Sequence, residues 1–136
     1  MSESAIICVD DEVTILDSLK EQLKRKFGDR FIYEVAESAE EAWELVEELN
    51  EDNIEVIVIV SDWLMPGTKG DEFLVQIHQH FPEVVKVMLT GQADDEAIER
   101  TRQEANLHAC LYKPWTEEEL TQIITTAIDE TSDRSI

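Results

Sequence analysis

Ile54-Glu55-Val56-Ile57-Val58-Ile59-Val60-Ser61-Asp62 holds the strongest structural signal in the chain. From Val56 to Val60 every residue is β-branched and apolar, which favours an extended backbone and leaves no polar face. A strand that is apolar on both sides belongs in the middle of a parallel sheet, with helices covering it above and below. The run stops at a carboxylate, Asp62.

Four more short apolar runs flank it. Ala5–Val9 ends at Asp10-Asp11, Phe31–Val35 stands second, Val84–Leu89 ends at Thr90-Gly91, and Ala109–Tyr112 ends at Lys113-Pro114. Amphipathic stretches separate them. Ile15, Leu16, Leu19, Leu23 and Phe27, spaced by three and four, predict a first helix that Gly28-Asp29 ends. Ser38 and Glu41 form a capping box for a second helix, with Trp43, Val46 and Leu49 turned inward. Met65-Pro66-Gly67 is a turn signal. The third helix after it carries Phe73, Leu74, Ile77 and Phe81 toward the core and stops at Pro82. Asp94–Ala105 predicts a helix with few large apolar side chains, only Ala97, Ile98 and Ala105. Thr116 and Glu119 cap a last helix with Leu120, Ile123, Ile124, Ala127 and Ile128 as its buried stripe. Thr131–Ile136 is polar and is expected to fray, so residues 1–129 are expected to form one domain and 130–136 a polar C-terminal tail. Five strands alternating with five helices predict an α/β fold: a five-stranded parallel sheet with helices on both faces and right-handed crossovers.

Bulk properties narrow the function classes. The chain has 136 residues, 43% of them hydrophobic, enough for a single cored domain. Its 32 acidic against 11 basic residues give a net charge of −21. Such a surface repels phosphate backbones and anionic lipid, which argues against direct nucleic-acid or membrane binding. Runs such as Val56–Val60 fall far short of the roughly 20 apolar residues of a transmembrane helix. Met1-Ser2-Glu3-Ser4 lacks the basic start of a signal peptide, so a cytoplasmic protein is expected. Cys8 and Cys110 have no CxxC spacing and are expected to be buried, reduced thiols. His78, His80 and His108 show no metal-ligand spacing and are expected at the surface.

The chemistry lies in where the strands end. In a parallel sheet the C-terminal ends share one edge, which would gather Asp10, Asp11, Asp62, Thr90 and Lys113. Each has a local explanation: Asp10-Asp11 at a helix N-terminus, Asp62 and Thr90 as strand-closing polar residues, Lys113 as a solvated lysine. Together they point elsewhere. Two unit charges 4 Å apart repel by about 4 kcal/mol at an effective dielectric near 20. Three converging carboxylates therefore call for a cation. A hard divalent ion such as Mg²⁺ prefers oxygen ligands and shares them with phosphoryl groups, and Lys113 suits an anionic phosphoryl oxygen.

Asp10-Asp11 after the first strand, Asp62-Trp63-Leu64-Met65-Pro66-Gly67 after the third, Thr90-Gly91 after the fourth and Lys113-Pro114 after the fifth resemble the receiver domain of two-component response regulators. The resemblance covers roughly residues 5–128. It implies a flavodoxin-like (βα)5 fold with strand order 2-1-3-4-5. It implies that Asp62 takes a phosphoryl group from a phosphohistidine on a histidine kinase or phosphotransfer protein. Asp11, Asp62 and the backbone carbonyl of Leu64 would ligate Mg²⁺, with Asp10 acting through water. Lys113 and Thr90 would contact the phosphoryl oxygens, and the Lys113–Pro114 bond would be cis. A conformational switch involving Thr90, Gly91 and Cys110 would then alter binding to an unidentified downstream effector or a second copy of the chain. Slow self-dephosphorylation would end the signal, without enzymatic turnover.

One position departs from the family. Three residues before the lysine, where receivers carry an aromatic switch, stands Cys110. Tyr112 is expected on the opposite face of that strand, and His108 on the face of Cys110. The helix over Asp94–Ala105 and the loop before it are therefore expected to carry the signal. Trp63 would either shield the acyl phosphate and meet the kinase, or simply be buried in its loop; Trp115 is expected to pack structurally. Glu40-Glu41, Glu47-Glu48 and Glu117–Glu119 are expected to be solvated helix faces. Two alternatives remain: an interaction module of the same fold that is never phosphorylated, and an aspartate-based phosphohydrolase of the haloacid dehalogenase type. The latter needs Asp-x-Asp after the first strand, and here Glu12 stands two residues after Asp10.

Overall fold

A computed structural model describes residues 3–91 and 95–134. In chain order the elements are β1 (Ser4–Val9), α1 (Val13–Phe27), β2 (Ile32–Ala36), α2 (Ala39–Glu51), β3 (Glu55–Asp62), α3 (Gly70–His80), β4 (Val85–Thr90), α4 (Asp95–Ala105), β5 (Ala109–Tyr112) and α5 (Glu117–Arg134). All strand pairs are parallel, and the sheet runs β2-β1-β3-β4-β5. This is the flavodoxin-like α/β fold that the strand–helix alternation and the family resemblance implied.

The uniform β3 run is divided by the two-residue period of a strand. Ile59 joins Ile7, Val9 and Met88 on the face covered by Val46, Leu74, Ile77 and Ile98 of α2, α3 and α4. Val58 and Val60 join Ile6, Cys8, Val87 and Leu89 on the opposite face, under Leu16, Leu19 and Leu23 of α1 and Leu120 and Ile124 of α5. Burial on both faces is the reason the segment needed no polar alternation.

Both capping boxes form. Ser38 Oγ accepts from the Glu41 N–H at 3.1 Å, while Glu41 reaches back to the Glu37 N–H at 3.3 Å, one residue beyond the cap. Thr116 and Glu119 exchange bonds directly, each backbone N–H donating to the other's side chain at 3.1 Å.

The boundaries shift in places. α3 ends at His80, and Phe81, expected as its last core residue, is instead the half-buried C-cap. The polar stretch expected to fray from Thr131 continues α5 to Arg134, with the Thr131 hydroxyl donating to the Ala127 carbonyl at 3.2 Å. Asp94, the expected first residue of the fourth helix, lies outside the described residues.

One buried charge had no counterpart in the sequence reading. Lys86, inside β4, is 1% exposed. Its Nζ lies 2.8 Å from His78 Nδ1 and 3.4 Å from the Pro82 carbonyl. The histidines expected at the surface divide accordingly. His80 is exposed, stacking edge-on against Trp43. His78 and His108 are half-buried, and His108 bridges to α5 through Thr126 at 2.8 Å and Glu130 at 2.9 Å.

Candidate functional site

The carboxyl edge gathers the expected residues. Asp10 follows β1 and is fully buried, its backbone N–H held by the Ala36 carbonyl at 3.1 Å. One of its carboxylate oxygens, Oδ1, accepts the Glu12 N–H at 2.8 Å. That bond orients Asp10 at the entrance to α1, the local role an acid at this position was expected to fill. Asp11 is exposed, and Asp62, the last residue of β3, is 5% exposed. One carboxylate oxygen from each of Asp10, Asp11 and Asp62 lies within 4.8 Å of the others.

Lys113 reaches in from the end of β5. Its Nζ stands 2.9 Å from Asp10 Oδ2 and 3.3 Å from Asp62 Oδ1. The ammonium offsets the charge of the buried Asp10 carboxylate at this ion-pair distance. The Lys113 N–H donates to the Thr90 carbonyl at 2.8 Å, which ties the ends of β4 and β5 together beneath the pocket. The Lys113–Pro114 bond is cis.

Three carboxylates facing one ammonium leave the pocket net negative, and the titration of its members reflects it. Burial, then the neighbouring Asp10, pushes the Asp62 carboxyl up to about 6, against the pull of Lys113. Burial works against the Lys113 charge as well, but Asp10 and Asp62 together outweigh it and raise its pKa above the ordinary lysine value. Hard oxygen donors, two of them desolvated and incompletely compensated, are the donor set a divalent cation such as Mg²⁺ takes.

The rest of the edge frames this pocket. Thr90 is buried at the end of β4, and beside it, among the described residues, nothing lies within 4 Å of where a side chain on Gly91 would begin. Leu64 lies two residues past Asp62 with its side chain exposed. Trp63 is half-buried against the α2–α3 side of the core, with its indole N–H buried and unpaired. Trp115 packs structurally on the α1–α5 side and donates to Gln22 at 2.8 Å.

Tyr112 does not lie on the opposite face from Cys110. Residues two apart in a strand share a face, and Leu111 between them turns to the α1–α5 side of the core while Cys110 packs on the α2–α4 side. Cys110 pairs with Met88 and Tyr112 with Thr90 across the β4–β5 ladder. The small Cys110 is half-buried and the exposed ring of Tyr112 stands at the strand end beside it.

Two polar links had not been expected. Asp71, 5% exposed in the first turn of α3, accepts from Arg100 of α4 at 2.9 Å. An acid one residue after the first glycine of a helix looks like an ordinary dipole-compensating residue, so only the packing of α4 on α3 exposes this role. Glu40, expected on a solvated face, accepts from Thr68 of the β3–α3 connection at 2.9 Å.

The fold and the pocket together define a doubly wound α/β domain with a carboxylate–lysine site at the carboxyl edge of its sheet. Residues 6–125 match the response regulator receiver domain family. The chain is 32% identical over 127 residues to the hydrogenase transcriptional regulatory protein HoxA of Cupriavidus necator, covering 93% of this chain and 24% of that protein. It therefore spans about a quarter of the length of the curated relatives it matches. A CheY-like response regulator receiver domain protein from Methanospirillum hungatei JF-1 superposes with a TM-score of 0.84 at 28% identity, covering 98% of this chain and 99% of the other. The beryllofluoride-activated NtrC4 receiver domain dimer superposes with a TM-score of 0.81 at 26% identity, covering 93% and 98%.

The chain belongs to the response regulator receiver domain family. That is a family of signalling domains, generally not turnover enzymes. No helix among the described residues is long and apolar enough to cross a membrane.

Proposed function

We propose that this domain receives a phosphoryl group on Asp62 from a phosphohistidine of a histidine kinase or phosphotransfer protein, in the cytoplasm. The observation that carries the reading is the convergence of Asp62 with Asp10, Asp11 and Lys113 in one pocket. Asp11, Asp62 and the carbonyl of Leu64 would hold Mg²⁺ directly, and Asp10 through water. When bound, the ion supplies positive charge to the transferring group and orients its oxygens.

The chain's own residues do the rest. A carboxylate oxygen of Asp62 attacks phosphorus in line with the departing imidazole, so the P–O bond forms as the P–N bond breaks. Asp62 must be ionised to attack. With its pKa near 6 it is largely so at neutral pH. The Lys113 ammonium and the Thr90 hydroxyl stabilise the phosphoryl oxygens as charge shifts onto them. Attack of water on phosphorus later returns the carboxylate and ends the signal. Thr90, Gly91, Cys110 and the α4 segment change arrangement in response and alter affinity for an effector or a second copy of the chain. The NtrC4 receiver, a dimer when activated with beryllofluoride, makes the second copy a reasonable partner.

Incubation with labelled acetyl phosphate and Mg²⁺ should label the protein, and Asp62→Asn should abolish the label. Undiminished labelling of that variant would remove Asp62 from the role.

A further inference from the structure

Residues 63–69 join β3 to α3 without regular structure. The two ends of this connection are fixed by backbone bonds: the Trp63 N–H donates to the Leu89 carbonyl at 2.9 Å and the Gly70 N–H to the Trp63 carbonyl at 2.8 Å. Between them lies Met65-Pro66-Gly67-Thr68, with Gly67 at φ +83°. Proline followed by a positive-φ glycine is the pattern of a type II turn.

The turn leans on α2. Thr68 Oγ1 donates to Glu40 Oε1 at 2.9 Å, and a methyl built on Gly67 would come 3.4 Å from the same oxygen. The Glu40 carboxyl is held below the usual range by its own backbone N–H first, then by the Thr68 hydroxyl. It is therefore a standing acceptor near neutral pH. α2 does not need Glu40 as a cap, because Ser38 and Glu41 already satisfy its entrance.

We propose that Glu40 is a positioning residue: through Thr68 it pins the turn after Asp62, and so holds the Leu64 backbone at the acidic pocket. This rests on the reading of the Leu64 carbonyl as a Mg²⁺ ligand. A loop ordered before the ion arrives loses less conformational entropy on binding. The clamp acts through a hydrogen bond rather than through charge at a distance, and the two are separable. Thr68→Val removes the bond and leaves the charge. Glu44→Gln, one turn further along α2, removes a charge and leaves the bond.

The test is Mg²⁺ titration calorimetry on the whole chain, with ¹⁵N order parameters of the Leu64, Met65 and Gly67 amides measured without metal. Thr68→Val and Glu40→Ala, each of which removes the bond, should each weaken Mg²⁺ binding three- to tenfold, and the double variant should be no weaker than the worse single. Glu44→Gln should change affinity less than twofold. The order parameters should fall in Thr68→Val. A Thr68→Val protein with wild-type affinity and wild-type order parameters would overturn the clamp, as would a Glu44→Gln loss equal to that of Glu40→Ala. If the wild-type chain binds no Mg²⁺, the proposed function falls, and a loosened turn in Thr68→Val would still support the clamp.

Discussion

Gly70 sits directly against the backbone carbonyl of Asp62. A methyl group built on Gly70 would come within 1.8 Å of that oxygen and 2.8 Å of its carbon. The first residue of α3 therefore closes on the last residue of β3, and the seven residues between them fold out over the carboxyl edge. Only a residue without a side chain permits this approach.

Gly70→Ala should accordingly displace either α3 or the end of β3, because the atoms it meets are backbone and cannot rotate away. Overpacking of this kind costs about 1–3 kcal/mol, occasionally more. A fall in urea midpoint with an unchanged slope would check the stability cost. Amide shifts at Asp62 and Trp63 would check the displacement. A variant with wild-type stability would show that the contact relaxes freely.

The Asp62 carboxyl carries a pH-dependent cost. Its pKa near 6 in the fold stands above the ordinary 3.8, so between those values the native state binds more protons than the unfolded chain. Stability contributed by this group is present below about pH 4 and is lost as pH rises through 6. Asp62→Asn removes the cost. In EDTA at pH 7.5 the variant should be more stable than wild type, by up to about 3 kcal/mol, and the gain should shrink toward zero by pH 4. Thermal unfolding of both proteins across that range checks it, and a gain independent of pH would contradict the assignment.

Mg²⁺ should relieve the same repulsion. At ten times its dissociation constant, an ion that binds only the folded state adds about 1.4 kcal/mol of stability. The melting temperature should rise with Mg²⁺ and return to its starting value with EDTA. Asp11→Asn should blunt the response, because it removes the most exposed of the three carboxylates without disturbing the buried pair.

Arg100 links α4 to a buried acid. It donates to Asp71 Oδ2 at 2.9 Å and lies 3.2 Å from Glu104 on its own helix. The other Asp71 oxygen, Oδ1, is buried without a partner. Since α4 buries only Ile98, Thr101 and Ala105, this ion pair is a polar link that adds to its packing on α3. Arg100→Met would leave the Asp71 carboxylate uncompensated. With half of the arginine side chain in solvent, the cost should be nearer about 1 kcal/mol than the 3–5 of a fully buried pair. Hydrogen exchange across residues 97–105 should quicken. The same measurement with and without beryllofluoride tests α4 as the moving element, and identical protection in both states would count against it.

The strand pattern was readable because its signals are local. Five short apolar runs, two capping boxes and the stops at Asp10, Asp62, Thr90 and Lys113 follow from backbone preference and from the two-residue and 3.6-residue periods. Lys86 was not readable, because a lysine within an apolar run looks like a surface residue until His78 and the Pro82 carbonyl are brought to its ammonium by the packing of α3. Tyr112 was misplaced through its parity with Cys110, which the two-residue period of a strand corrects without any tertiary contact.

What the amino-acid order determined by itself was an alternating α/β chain, four strand ends with chemically loaded residues, and, through the resemblance of those residues to a known family, their common pocket. What only the tertiary structure decided was how that pocket is braced: Gly70 against Asp62, Glu40 on Thr68, Arg100 on Asp71 and Lys113 between two carboxylates. The division has a physical cause. Secondary structure and capping arise between residues a few positions apart, whereas these braces join residues eight to more than a hundred positions apart, whose meeting depends on the crossovers and the register of the folded sheet.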